Sequence, residues 1–483
     1  MSRLDPAADA DELRTERASR TGTWLLAGVG GAFTAMCLPI VVRGAPLADD
    51  FFNCLRPQQI GLGAFLGESL ERLGALRRAH FLEILITTET CQHLPFGVAI
   101  AVPLVITLAI TILLRGLLRD LGAPEPWPSI GGALWLLQPL GTEAALWPAA
   151  IHVGLGLALA LIAVRLHRGG HHGWGAAAVA AAGLSAEQVV LAIPIAVWAT
   201  TAGPRRRAAI VATLAVTAVL LAAFVLWPGD DPRLRASLGT RIAGVFDDPG
   251  FLVTFPAVGL GAHSIPLAVW WLFPLSVVVL GTGALLGARL GRTIAVEPID
   301  RWSAAPALLA GVALIAAVNV PVVLSVPHQG SPRIFTPSWL VLSGVVAYAG
   351  PAIRRPMIVP TTMLAGAFAA GAVMSIALSV WVRWHTADFT VAAAERIAAE
   401  TAGGSTFAVC GITRTVIDPA PRGAFAVHEF IDEGTARDSL AYYTGRQAEF
   451  LLAGPLWPDR PCPPGDVDRV FTFPELLRAW DER

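Results

Sequence analysis

The sequence predicts an all-α polytopic membrane protein of about 11 transmembrane helices, N-terminus in and C-terminus out, with a small extracytoplasmic α/β domain at its C-terminal end. Three observations predict it. The chain of 483 residues is 54% hydrophobic and only 15% charged, with a mean hydropathy of +0.60. Its apolar residues come in long unbroken runs, as membrane-spanning helices require. It contains no lysine, and its arginines collect in alternate loops, which orients the runs. A formal net charge of -1 carries no basic excess that would call for a nucleic-acid partner, and none is expected.

Each element follows in order. Residues 1–23 mix arginines and acids without an apolar core, so they are expected to form a cytosolic arm and not a signal peptide. Trp24–Val42 is uncharged and long enough to span. Residues 44–93 form a mixed outer loop that contains Pro57, arginines at 56, 72, 77 and 78, and a weakly amphipathic run from Phe65 to Leu85. Short helices lying along the membrane surface are expected there. Leu94–Leu114 spans next and is followed by Arg115 and Arg119. The pairs 127–141 with 144–164 and 174–186 with 189–202 form two hairpins, separated by a loop with Arg165, Arg168, His171 and His172. Arg205–Arg207 close the second hairpin. Residues 208–227, 265–286, 304–326, 337–352 and 357–382 complete the transmembrane region 24–382. With the N-terminus inside, every arginine-rich short loop, Arg289/Arg292 and Arg354/Arg355 included, falls in the cytosol.

Two of these segments are short. Residues 174–186 rise only about 20 Å as a helix, against a hydrocarbon core of about 30 Å. The segment before Glu143 is short as well, so Glu143 and Glu187 are expected at hairpin tips below the outer surface. A carboxylate there needs water, a partner or a cation. Such glutamates either floor a wet recess open to the outside or simply cap their hairpins. Cys54 and Cys91 share the outer loop, and Cys410 and Cys462 share the tail, which allows two disulfides or four free thiols on the oxidising side. The tail, 383–483, offers strands at Thr406–Cys410 and Ala424–Val427 and helical patterns near 435–442 and 473–480.

The outer loop opens with Gly44-Ala45-Pro46-Leu47-Ala48-Asp49-Asp50. Pro46 and the two aspartates can turn the chain and cap a helix, or they can be a catalytic pair. Asp230/Asp231 and Asp247/Asp248 are rival acidic pairs, but each is followed directly by proline, which favours a turn.

Five features together resemble the GT-C class of membrane glycosyltransferases. They are Asp49-Asp50 in the first outer loop; the surface segment ending His93-Leu94-Pro95-Phe96; the stretch from Gln138 to Trp147 around Glu143; Leu184-Ser185-Ala186-Glu187-Gln188; and Ser331-Pro332-Arg333-Ile334-Phe335. The likeness covers the membrane region, through short motifs, and Ala186 stands where that class commonly has lysine. It implies transfer of a sugar from a polyprenyl-phosphate donor to a glycan, lipid or protein acceptor of the cell envelope, on the outer face of the cell membrane. Asp49 would then be the general base and Asp50 its supporting neighbour, or the ligand of a divalent cation if one is used. Arg333 would contact the donor phosphate, with interfacial snorkelling as its other role. Glu143, Glu187, His93 and His328 would orient substrate. Two alternatives stay open: a lipid or solute transporter, which should carry mid-membrane charges and internal repeats, and an assembly protein that keeps this fold without the chemistry.

Overall fold

Inside a bilayer every backbone polar group must find its partner within the protein, which leaves helices as the solution for long apolar runs. The computed structural model describes residues 6–46, 49–72, 80–137, 142–226, 273–293, 301–324, 336–352, 355–400, 406–410, 433–446, 449–453 and 467–482. These residues are mostly helical. The order is α1 (Pro6–Arg43), α2 (Asp49–Ile60), α3 (Leu62–Arg72), α4 (His80–His93), α5 (Gly97–Asp120), α6 (Trp127–Leu136) and α7 (Thr142–Leu146). Then come α8 (Ile151–Gly169), α9 (His172–Ser185), α10 (Ala192–Thr200), α11 (Arg205–Leu226), α12 (Phe273–Thr293), α13 (Arg301–Leu324), α14 (Thr336–Ala349) and α15 (Arg355–Glu400).

Among the described residues five helices are long and apolar enough to cross a membrane: Ala18–Arg43, Gly97–Asp120, Pro148–Gly169, Arg205–Ala223 and Met357–Glu400. Phe273–Arg289 and Ala305–Val320 are shorter apolar helices. The segments expected at 127–141, 174–186, 189–202 and 337–352 are the short helices α6, α9, α10 and α14. Among the described residues the outer loop 44–93 holds the helices α2 to α4, and residues 73–79 of its amphipathic run lie outside the described residues.

Side-chain contacts define two ends of the bundle. At one, Arg115 donates to the Thr23 hydroxyl at 2.8 Å, and Arg115 and Arg119 both reach Glu125, at 3.2 and 2.6 Å. Arg165 bonds Asp120 at 2.9 Å, and Arg168 donates to the carbonyls of Thr200 and Asp120. This arginine end gathers the C-terminal ends of α5, α8 and α10 with the start of α11. At the other, α1 ends in Gly44, which has a φ of +60°, against the first turn of α5. A Cβ on Gly44 would come within 2.9 Å of the Gly97 nitrogen, and one on Gly97 would run into the Val41 carbonyl. Glycine on both sides is what lets these helices meet.

A second glycine seam joins α12 to α15. Gly283, Gly287 and Gly291 recur every fourth residue, one face of a helix; Gly283 and Gly287 meet the Gly366 and Thr362 carbonyls, and Gly291 meets the Thr362 hydroxyl and the Val359 backbone. Elsewhere the core is aliphatic and aromatic, and its indoles find acceptors. Trp135 donates to the Thr107 carbonyl at 3.1 Å, and Trp339 to that of Leu134 at 2.9 Å.

Helix α15 has 46 residues, a rise of about 69 Å, more than twice a hydrocarbon core. It therefore runs on past the apolar stretch and into the tail. There Phe389, Ala393 and Ile397 pack on a small α/β unit built from β1 (Thr406–Cys410), α16 (Glu433–Thr444), β2 (Glu449–Ala453), β3 (Arg469–Thr472) and α17 (Phe473–Asp481). The three strands are parallel in the order β2-β1-β3. β1 lies where the sequence predicts a strand; Ala424–Val427 lies outside the described residues. A capping box between Thr472 and Glu475 starts α17.

Cys54 and Cys91 form a disulfide that ties α2 to α4, with Cα atoms 5.4 Å apart. Cys410 is disulfide-bonded too, and its expected partner, Cys462, lies outside the described residues. Cys37 is free and buried. Closing a loop across 37 residues restricts the unfolded chain by about 4 kcal/mol on the chain-entropy model. Replacing Cys54 and Cys91 by alanine should accordingly lower the midpoint of thermal unfolding in detergent. An unchanged midpoint would show that α2 and α4 hold together without the bond.

Candidate functional site

The acidic loop stands at the tail end, where α1, α2, α15 and the tail converge. After Gly44 the chain passes Pro46, and α2 opens with Asp49 and Asp50. Carboxylates are favoured in a first helical turn, where backbone N–H groups are unused. Asp50 is fully buried. Phe51 beside it is fully buried as well, edge-on to Tyr442 at 5.4 Å and to Tyr443 at 5.7 Å. Thr88 of α4 donates to the Asn53 carbonyl at 3.1 Å, so α2 is held from both sides. Two of the chain's three tyrosines thus serve to dock α16 against the acidic helix.

Two arginines adjoin this corner. Arg43, the last residue of α1, pairs with Asp388 and stacks over Trp384 at 5.4 Å. Arg383 is buried and donates to the Leu146 carbonyl at the end of α7, at 2.8 Å. Both line a small cleft with Pro46, Thr390 and Tyr443. Its volume is about 10 Å³, room for about one water. A sugar does not fit there unless the tail and α2 part.

Burial, and secondarily the charge of Asp50, push the Tyr442 phenol above its ordinary value. A phenol raised on folding contributes stability that is present below about pH 10 and lost as pH climbs through the raised value. The tail should therefore undock from α2 in strongly alkaline buffer, seen as faster proteolysis of the tail. Tyr442→Phe should flatten that response, and an identical alkaline profile in the variant would assign the transition elsewhere.

The other candidates scatter around this corner. Glu143 belongs to α7, whose last carbonyl is the one Arg383 holds. Glu187 opens a short 3-10 turn between α9 and α10 and is half-buried. That turn packs against α8: a Cβ on Gly156, about 7.5 Å into α8, would lie 2.6 Å from the Ala186 methyl. α7 and the Glu187 turn both pack on α8. His93 ends α4, exposed, with Glu89 3.6 Å away. Arg333, His328, Asp230/Asp231 and Asp247/Asp248 lie outside the described residues. Arg43, Arg383, Asp388, Tyr442 and Tyr443 escape a motif-based reading of the sequence. The available signal was Arg383-Trp384 directly after the last apolar run, and the tyrosine pair in an otherwise tyrosine-poor chain.

A divalent cation at Asp50 would need further oxygen ligands. Among the described residues no group of three or more His, Cys, Asp or Glu side chains converges in a way that would hold one. The described donor set does not fit a metal. No protein-family model matches this chain, and no curated protein is similar to it.

Proposed function

We propose that this chain is a multi-pass membrane glycosyltransferase with about 11 spans. It moves a sugar from a polyprenyl-phosphate donor to a glycan, lipid or protein acceptor of the cell envelope. The positive-inside rule assigns the arginine end to the cytosol and the tail end to the extracytoplasmic face of the cell membrane. α2 to α4 then lie along the outer surface. The observation that carries the reading is the buried Asp50 at the start of α2, whose neighbour Phe51 packs on Tyr443, a residue that lines one cleft with Arg43 and Arg383.

In the reaction Asp49 takes the proton of the acceptor hydroxyl, a poor nucleophile until a base within reach removes it. The oxygen attacks the anomeric carbon, the bond from that carbon to the phosphate oxygen breaks, and polyprenyl phosphate leaves with the electron pair. Configuration inverts. Asp50, sealed beneath α16, fixes the first turn of α2 and with it the place of Asp49. Guanidinium groups meet the phosphate charge as it develops, Arg333 by resemblance and Arg43 by its position in the cleft. Glu143 and Glu187 orient sugar hydroxyls from the recess; His93 and His328 serve at its rim.

A second reading has one observation in its favour. The cleft that Arg43, Arg383 and Tyr443 line admits only about one water, as in an assembly protein that keeps the fold and binds no sugar. Binding separates the two: purified protein should retain a polyprenyl-phosphate sugar through gel filtration in detergent and lose it to excess polyprenyl phosphate. Protein that retains neither compound fits the assembly reading. The orientation has its own test. A reporter that is active only in the cytosol, fused after Arg483, should be silent, and a bright signal would put the acidic corner on the wrong face.

A further inference from the structure

A groove of about 660 Å³ runs along the bundle between α5, α8, α10, α13 and α14, remote from the acidic corner. Its walls are almost wholly apolar, with Leu117, Leu161, Ile193, Leu314 and Leu340 among them. It opens sideways, where Leu309 is 72% exposed. Along α14 it extends from Tyr348 to Pro337, a rise of about 16 Å. That is one leaflet of a hydrocarbon core of about 30 Å. Its volume is within the range of about 300–1,000 Å³ that holds small organic ligands.

The groove is not apolar at its arginine end. Arg206 lines it there, with its guanidinium 4.7 Å from the centre of the Trp198 ring. The Nε of Arg206 is buried and meets no hydrogen-bond partner. Three arginines of this end are matched by carboxylates, Arg115 and Arg119 by Glu125 and Arg165 by Asp120. Among the described residues none of Arg205, Arg206 and Arg207 has a carboxylate partner. A buried guanidinium N–H beside hydrocarbon requires an acceptor, and an anion serves best.

We propose that this groove holds an anionic phospholipid of the leaflet at the arginine end. Its phosphodiester accepts from the Nε of Arg206, with Arg205 and Arg207 adding charge, and one acyl chain lies along α14. Groove length, apolar walls and an unmatched guanidinium at one end fit that occupant together. A free phosphate would fill only the end, and a neutral lipid would leave Arg206 unanswered. The site is independent of the transferase reading, because it faces the opposite end of the bundle.

The test is native mass spectrometry of the full chain released from nanodiscs of mixed phosphatidylglycerol and phosphatidylcholine. Wild-type protein should keep one phosphatidylglycerol in preference to phosphatidylcholine, and added inorganic phosphate should not displace it. Arg206→Ala should lower that retention about 10-fold, the scale of one charge-assisted hydrogen bond. Ala310→Trp fills the groove without touching a charge and should lower it as well, so the proposal stays testable if the arginine variant folds poorly. Equal retention of both lipids, full retention in Arg206→Ala, or displacement by inorganic phosphate would each overturn the proposal. So would a loss in Arg206→Ala with none in Ala310→Trp, since the lipid would then be held at the surface alone.

Discussion

Asp49→Asn is expected to lower sugar transfer by about 10²-fold or more while donor binding stays near the wild-type level. The amide keeps the size of the side chain and removes the basic lone pair, and general-base catalysis contributes on that scale. The base touches the acceptor and not the donor phosphate, so affinity for polyprenyl-phosphate sugar should barely move. Arg333→Ala should do the opposite, weakening donor binding by removing a charge-assisted contact. Measuring transfer and donor binding on both variants separates the roles. An Asp49→Asn protein with full activity would move the search to Asp230/Asp231 and Asp247/Asp248.

The second large effect is on folding. Gly287→Leu is expected to separate α12 from α15 and to cost about 3 kcal/mol or more, since overpacking a tight core costs that much and here the clash is with backbone. A Cβ on Gly287 runs into the Thr362 carbonyl, which no rotamer change relieves. Gly281→Leu is the control. It lies on the same helix, but a Cβ there meets nothing within 4 Å, so the change should be close to neutral. Thermal unfolding and the yield of monodisperse protein read both. If Gly287→Leu behaves like Gly281→Leu, the seam does not hold α12 in place.

Much of this architecture is legible in the sequence because its cause is local. An uninterrupted apolar run must be helical wherever it ends up, so Trp24–Val42 lies within α1, and of the expected span 94–114 residues 97–114 lie within α5. Arg115 and Arg119 mark one end because charge cannot rest in hydrocarbon, and they are found among the partners of that end. β1 is legible for the same kind of reason, five small or apolar residues following the pair Gly403-Gly404 in the sequence. What the sequence does not disclose is long-range. Nothing near Phe51 announces Tyr442, about 390 residues away, and nothing near Leu146 announces Arg383. α15 shows why: composition changes at Val382, but the helix continues to Glu400 because the tail packs on its last turns. β2 and β3, five and four residues long, carry too little pattern to be told from loop without their neighbours.

Of the candidate site, the start of α2 at Asp49 and Asp50 is legible from loop composition, since Pro46 and the aspartates suit a helix start. The arginines that face the corner are not, because α1 and α15 contribute them from opposite ends of the chain.

The central claim is that this chain transfers a sugar from a polyprenyl phosphate at the tail end, with Asp49 as base. The most direct measurement is release of polyprenyl phosphate from a radiolabelled polyprenyl-phosphate sugar by proteoliposomes of the full chain, supplied with a mixed fraction of envelope glycans and glycolipids. Wild-type protein should release the lipid phosphate and move the label to an acceptor, and Asp49→Asn should do so at about 1% of that rate or less. Release at the same rate by both proteins would contradict the account, as would a bound donor that wild-type protein never cleaves.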